Sequence, residues 1–465
     1  MKKYLFLVCF FSIISTHSQE LNSKIMSLEE YLGYVKQFHP IVKQVDLVIA
    51  ESEAKLLKSR GAFDPKLEVD YDKKQFKGTE YYNKLNATFK VPTWYGIELK
   101  ANFEENSGFF LNPEANVPVD GLYSVGVSVS LAKGLLMNER MSMLKQAKFF
   151  KDQAKADRQL LVNKVLFDAS KTYFKWLQSY NEKEVYNSFL QNAELRFNGV
   201  KRSFYEGERA SIDTLEAGIT VNNRKLNLER ANIKYIKSTL ELSNFLWLEN
   251  NIPIELQDDI KPDSNTFEKI DVVLNINSFQ LDSLNINEHP KLISLDNKFR
   301  GLNIEKRLKA NNLLPQVDLE YNFVTQTPEF INSLDQNQYK GGVKVKFPLF
   351  LRKERGDLKL AKLKLKDVEY EIASTKVTLS NKIDAISQEI NSLERQQGYA
   401  NSMVNDYQTL LTAEERKFFL GESSIFLVNS RESKLIDSKL KAIKVVNEFL
   451  TSKASLVNTL AMMNP

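Results

Sequence analysis

The chain repeats its own order of motifs, and this internal duplication constrains the fold more than any other feature of the sequence. His39-Pro40 recurs as His289-Pro290, 250 positions later. Gly126-Val-Ser-Val-Ser-Leu131 recurs as Gly342-Val-Lys-Val-Lys-Phe347, only 216 positions later. The first copy therefore carries about 34 additional residues between these two landmarks. A repeat of this length predicts a duplicated structural unit.

The first 18 residues have the composition of a secretory signal peptide. Lys2-Lys3 precede the apolar stretch Tyr4–Ile14, and Thr16-His-Ser18 places small residues at a cleavage position. The only cysteine, Cys9, lies inside the apolar stretch without an acylation context, so we expect neither a lipid anchor nor a disulfide in the mature chain. With 64 basic and 59 acidic residues, the mixed-sign charge gives no indication of nucleic-acid binding.

Six segments alternate strictly between apolar and polar residues. Four lie in the first copy, within about 66–131, and two in the second, within about 316–349. Period two gives each strand one apolar and one polar face. No later run of 18 apolar residues occurs, so the mature chain is either exported and soluble or crosses a membrane as β-strands. Aromatic residues at the segment ends are typical of a membrane-interface girdle, although an amphipathic soluble sheet shares the alternation.

Two proline-free stretches, about 135–205 and about 351–420, predict unusually long helices. Each has roughly 70 residues and would extend on the order of 100 Å at 1.5 Å per residue. Apolar residues spaced by three and four positions favour helices packed against one another.

Each long helix is predicted to end at a glycine turn, Gly207 or Gly421, after which a second helix returns. Ser211 and Ser424 are candidate N-caps, because a short hydroxyl accepts hydrogen bonds from first-turn N–H groups. We divide the chain into a signal peptide (1–18), a first repeat (19–250, hairpin about 135–247 with its tip at 205–215), a mixed segment (251–287) and a second repeat (288–465, hairpin about 351–462 with its tip at 419–428).

Residues that could support catalysis are scarce. After signal-peptide removal only His39 and His289 remain as histidines, and each precedes a proline at a predicted helix start. The sequence has no HExxH, CxxC, GxSxG or GxxxxGK[ST] motif. We therefore expect no enzyme, no cofactor and no metal site, and a helix-starting role for both histidines.

The order signal peptide, helix, strands and long helical hairpin, followed by the same set again, resembles the TolC family of outer-membrane efflux proteins. The residues that carry the resemblance are Ser27-Leu-Glu-Glu30 with His39-Pro40, Leu314-Pro315-Gln-Val317, and Val345-Lys-Phe-Pro-Leu349. The implied fold class is an internally duplicated α+β membrane protein. Its trimeric outer-membrane β-barrel continues into a long periplasmic α-helical barrel of coiled-coil hairpins.

The resemblance also implies a function and partners. The chain would form a homotrimer in contact with outer-membrane lipid, a duct carrying small molecules, ions or polypeptides, without catalysis. It would work with a periplasmic adaptor and, through it, an inner-membrane pump. The tip residues implied to contact the adaptor are Gly207, Glu208, Ser211, Gly421, Glu422 and Ser424. A periplasmic coiled-coil adaptor or scaffold protein is the alternative.

Two features depart from the family pattern. The family usually has two strands per copy, so the four in the first copy predict either extra barrel strands or a loop or plug. The resemblance implies a mouth narrowed by acidic residues six and nine positions after the second tip glycine, where this chain has Leu427 and Ser430. In the first copy, Asp213 matches the acidic position six residues after the glycine. These three residues are the candidate periplasmic gate, and Leu427 could close it as an apolar constriction that excludes water.

Overall fold

The computed structural model describes residues 25–257, 259–276, 285–328 and 334–463. The predicted signal peptide and Cys9 lie outside these residues. The main helices are α1 (Leu28–Phe38), α2 (Pro40–Arg60), α3 (Glu139–Tyr205), α4 (Ser211–Ser243), α5 (Thr266–Val273), α6 (Pro290–Asn311), α7 (Arg352–Phe419) and α8 (Ile425–Thr459). None of the helices in these ranges combines the length and apolar character that a membrane span requires.

Six strands form one continuous antiparallel sheet. They are β1 (Lys66–Phe76), β2 (Thr79–Pro92), β3 (Ile97–Ser107), β4 (Leu122–Ser130), β5 (Gln316–Thr325) and β6 (Tyr339–Lys346). Their order across the sheet is β6-β5-β4-β3-β2-β1, which is their order along the chain. In the described part of the chain, only β4 and β5 are separated by α-helices. In the single chain, all four strands of the first copy join the sheet.

The two copies meet where β4 pairs with β5. The register aligns Ser128 with Glu320 and Gly126 with Asn322. A Cβ added at Gly126 would lie 2.0 Å from the Tyr321 carbonyl oxygen, so the backbones approach too closely there for any side chain. This explains why the first copy has glycine at the junction.

In each copy, a long helix packs against two shorter helices, one after the other along its length. Lys151 and Arg158 of α3 form ion pairs with α2. Further along α3, Lys175 forms an ion pair with α4. In the second copy α6 and α8 divide α7 in the same way. The duplicated sequence therefore builds two equivalent three-helix layers.

The two His-Pro pairs of the repeat start α2 and α6, as predicted. Nδ1 of His39 accepts from the Ile41 N–H (3.3 Å), and Nδ1 of His289 accepts from the Lys291 N–H (3.1 Å). Proline follows at the first helical position, where its missing N–H leaves no partner unsatisfied.

The same histidines also join the short helices end to end. The His39 ring stacks on Phe245 just beyond α4, with 5.4 Å between centroids. His289 Nε2 lies 2.9 Å from the carbonyl oxygen of Thr459, the last residue of α8. Since Nδ1 accepts, Nε2 carries the proton and donates, which describes a neutral ring. Burial lowers the pKa of both imidazoles, in keeping with that state.

The largest apolar core lies where the N-terminal segment, α5 and the ends of α4 and α8 surround the middle of α3. Its fully buried centre consists of Trp176, Tyr173, Phe174, Tyr31 and Leu166. Two of its polar side chains have partners: Trp176 Nε1 donates to Thr239 Oγ1 (3.1 Å), and the Tyr173 hydroxyl donates to the Met26 carbonyl (2.8 Å). The buried Tyr31 hydroxyl has no hydrogen-bond partner among the described residues. This core fixes the long helices midway between the sheet and the hairpin tips.

Candidate functional site

The sheet presents one apolar face and one charged face. The apolar face is solvent-exposed in the single chain along all six strands, and includes Leu67, Val69, Tyr71, Phe89, Leu99, Tyr123, Val125, Val127, Tyr321, Val343 and Val345. A continuous exposed face of this kind marks contact with another protein or a membrane. The alternation of each strand thus produces the two-sided sheet that the sequence predicted.

The opposite face is lined with charged side chains that pair across strands. Lys100 Nζ lies 3.1 Å from Glu320 Oε1, which ties the first copy to the second. Lys340 Nζ lies 2.9 Å from Glu104 Oε1, and a further pair joins Lys90 to Glu68. Such a face is suited to water, and it lies opposite the apolar one.

At the other end of the helices, the two hairpin tips have matching glycine turns. Gly207 has φ +76° and Gly421 has φ +77°, a left-handed conformation that glycine adopts without steric cost. In both turns the following N–H closes the long helix: Glu208 donates to the Ser203 carbonyl and Glu422 to the Lys417 carbonyl, each at 2.9 Å.

The two return helices begin differently. Ser424 is the N-cap of α8, and its Oγ accepts from the Leu427 N–H at 3.4 Å. Ser211, however, is the first residue of α4, and Ala210 takes the N-cap position without a side-chain bond. The predicted N-cap role of Ser211 is therefore wrong, because the first tip enters its helix one residue earlier.

The structure brings the two tips into contact with each other. The Arg209 guanidinium lies 4.0 Å from the Phe418 ring centroid, and its Nη2 donates to the Phe418 carbonyl at 3.4 Å. Asn429 Nδ2 also donates to Glu216 Oε1 at 3.4 Å. The ends of the two hairpins therefore lie against each other.

The three candidate gate residues have different surroundings. Asp213 lies in the first turn of α4, with Oδ2 4.0 Å from Arg209 Nη1. Leu427 lies in the first turn of α8 and is 40% exposed, next to the more exposed Phe426. Ser430 is exposed on the same helix. In the single chain Leu427 thus has an apolar side chain that is partly exposed.

A buried charge cluster behind the tips was not predicted from the sequence. The Glu432 carboxylate is fully buried, with Oε2 3.1 Å from Arg196 Nη1 and 3.4 Å from Arg224 Nη2. Arg196 Nη2 also reaches Glu415 Oε1 at 3.2 Å. Each of these four residues comes from a different long-hairpin helix, so the cluster links α3, α4, α7 and α8.

The sequence did contain a signal for this cluster. Ile425, Val428, Glu432 and Leu435 are spaced by three, four and three positions, so a carboxylate occupies a place in an apolar helical stripe. A charge at such a position requires a buried partner.

Comparisons with known proteins agree with this architecture. Residues 303–461, from within α6 to just beyond α8, match the family model described as outer membrane efflux protein. This part of the chain is similar to an outer membrane efflux protein domain. The match confirms the resemblance inferred from the sequence, together with the outer-membrane location and the efflux function that it implied. No sequence among curated proteins matches the chain.

Solved structures resemble nearly the whole chain. A membrane protein from Pseudomonas aeruginosa has a TM-score of 0.65 at 14% identity, covering 93% of this chain and 90% of that one. The CmeC outer membrane channel of Campylobacter jejuni has 0.65 at 11%, covering 93% and 85%. The outer membrane protein VceC from Vibrio cholerae has 0.65 at 10%, covering 94% and 96%. At these identities the likeness establishes the fold.

Among the described residues, no cluster of His, Cys, Asp or Glu is suited to hold a metal ion.

Proposed function

We propose that three copies of this chain form an exit duct through the outer membrane, which carries substrates delivered by an adaptor and an inner-membrane pump and performs no chemistry itself. In this proposal, residues 19–250 and 288–465 are two repeats that each contribute strands to the barrel and one helical hairpin to the tunnel, with 251–287 between them. Three chains then supply six similar hairpins around one axis.

The observation that carries the proposal is the division of the sheet into an apolar exposed face and a charged paired face, continued by two parallel sets of long helices. Backbone polar groups cannot face lipid without partners, so an open sheet in a membrane must close with other copies. The apolar face would then contact lipid and the charged face would line a water-filled lumen.

We further propose that the hairpin tips contact the adaptor. Gly207, Glu208 and Ser211 from the first tip, together with Gly421, Glu422 and Ser424 from the second, form the end of the molecule farthest from the sheet. A photo-crosslinking residue at Glu422 should capture the periplasmic adaptor, whereas the same residue at Glu241, midway along the hairpin, should not. Equal capture at both positions would contradict a tip-specific contact.

The candidate gate lies beside this contact. We propose that Leu427, repeated three times around the axis, narrows the duct with an apolar ring, and that Asp213 and Ser430 line the same mouth. An apolar constriction resists the passage of water and ions until it widens. An adaptor that binds the adjoining tips could supply the differential contacts needed to favour the wider state.

Membrane fractionation and bilayer recording test the proposal together. The full-length protein should be recovered in the outer membrane as a trimer and should form ion-conducting channels in planar bilayers. Recovery in the soluble periplasm alone would contradict the duct and favour the adaptor or scaffold alternative.

A further inference from the structure

The sheet has two free edges, and their properties indicate what covers them. Every residue of β1 and β6 is exposed in the single chain. Among the described residues, each edge strand pairs with a neighbour on one side only. In a membrane such edges cannot remain open, because their backbone N–H and C=O groups would face lipid.

The directions of the two edge strands suit pairing between copies. β1 follows α2 and runs away from the helices, whereas β6 runs back towards α7. With six antiparallel strands per chain, β1 and β6 point in opposite directions. Rotation about an axis along the sheet would therefore place β1 of one copy antiparallel to β6 of the next.

The charged faces of the two edges are complementary. On that face β1 carries Glu68, Asp70 and Asp72 in its middle, with Lys66 and Lys74 at its ends, whereas β6 carries Lys340, Lys344 and Lys346. Among the described residues, no ion pair is formed by Asp70, Asp72, Lys344 or Lys346. Opposite charges on facing positions stabilise neighbouring strands, and like charges destabilise them.

We propose that β1 of one copy pairs with β6 of the next through this acidic and basic contact, so that three copies close a barrel of eighteen strands. The inference rests on the proposed trimeric duct. Excluding the β1–β2 hairpin would leave four strands per copy and twelve in the ring. Since barrel diameter grows roughly linearly with strand number, the proposed lumen is about one and a half times as wide.

The extra hairpin is built as part of the wall. Leu67, Val69 and Tyr71 of β1 extend the apolar face, which would be exposed to water if the hairpin projected into the lumen or solvent. Across the β2–β3 boundary, Thr88 Oγ1 and Asn102 Oδ1 are hydrogen-bonded at 2.7 Å.

Cysteine cross-linking distinguishes the two ring sizes. Because Cys9 is the only native cysteine and lies in the predicted signal peptide, any disulfide in the mature chain must form between introduced cysteines. We expect Asp70→Cys with Lys344→Cys to yield covalent trimers in outer membranes, and either single variant to yield none. Glu68→Cys and Asp72→Cys, each with Lys344→Cys, cover the adjoining registers.

Lys100→Cys with Lys344→Cys is the opposing test, because β3 would meet β6 only if the hairpin left the wall. Trimers from this pair, with none from the β1 series, would overturn the eighteen-stranded ring. Failure of both series in a protein still recovered as an outer-membrane trimer would also overturn it. Loss of the trimer itself from unmodified protein would instead contradict the proposed function.

Charge exchange provides an independent readout. Asp70→Lys with Asp72→Lys should lower the temperature at which the trimer dissociates in detergent, and Lys344→Asp with Lys346→Asp should do the same. Combining all four substitutions should restore the dissociation temperature. Additive loss in the combined variant would contradict the contact between the two edges.

Discussion

Removing the buried carboxylate of Glu432 should loosen the hairpin tips while leaving the sheet unchanged. Glu432→Gln keeps the shape of the side chain but removes its charge, and so leaves Arg196 and Arg224 facing each other's charge in a buried site. Their side chains are 13% and 9% exposed, so water can restore little of the lost interaction. Glu415, which also contacts Arg196, is 38% exposed and compensates only in part.

The expected cost is about 3–5 kcal/mol, the usual penalty for breaking a buried ion pair by removing one partner. Because about 1.4 kcal/mol corresponds to a factor of ten, local opening should become at least about 100-fold more frequent. Hydrogen–deuterium exchange with mass spectrometry would measure this in peptides from the tip halves of α3, α4, α7 and α8. Peptides from the sheet should exchange at the original rate.

Glu241→Gln is the matched control. Glu241 pairs with Lys175 between the same two helices of the first hairpin, yet both side chains are nearly half exposed, at 47% and 48%. Exposed pairs contribute about 0–1 kcal/mol, so exchange should barely change. If Glu432→Gln left tip exchange within threefold of the original, the cluster would not hold the four helices together.

A compensated variant separates the charge from the packing. Replacing Glu432, Arg196 and Arg224 together by Leu, Met and Leu removes all three buried charges and should recover much of the lost protection, because apolar substitutes for a buried ion cluster are often neutral or stabilising. Further loss in this triple variant would indicate that packing around the cluster, rather than its charge balance, determines the stability of the tips.

Three further predictions concern the tips and the helix joints. Gly421→Ala should destabilise the second hairpin by about 1–2 kcal/mol in urea unfolding because of its positive φ, whereas Gly398→Ala, inside α7, should stabilise it slightly. The contribution of His289 to the free energy of unfolding should be complete above pH 6.5 and decline as pH falls below it, because burial lowers the pKa of the imidazole in the folded state. His289→Asn should keep the N-cap and reduce the fall in apparent Tm between pH 7 and 5. Leu427→Asp should raise single-channel conductance, and an unchanged conductance would contradict the apolar gate.

The elements of this fold could be predicted because their signals are local. The strict alternation of apolar and polar residues identified all six strands, because the two faces of each strand lie in different environments. The tip glycines were evident for the same reason: Gly207 and Gly421 follow long proline-free runs, and their backbone conformation depends on a few neighbouring residues. The His-Pro pairs marked helix starts because proline is favourable only in the first turn.

The features that the sequence did not reveal depend on distant contacts. Glu432 stood out as a carboxylate in an apolar stripe, but its partners Arg196 and Arg224 lie more than 200 positions away, so no spacing pattern connects them. The N-cap at Ala210 rather than Ser211 depends on how the first tip packs, through Arg209, against the second. Local propensity favours the serine, and the tertiary contact determines the register.

The two copies agree where both must build the same helix joint, and they differ in the sheet and at the tips. In both copies two short helices meet end to end along one long helix. His39 and His289 each cap the start of one short helix and contact the end of the other. The extra β1–β2 hairpin adds an even number of strands, so the edge strands stay antiparallel and closure remains possible. At the tips, by contrast, Asp213 lies 4.0 Å from Arg209 of its own chain, whereas Leu427 at the matching position of the second copy is apolar and 40% exposed. In the proposed trimer this difference assigns the constriction to the second copy.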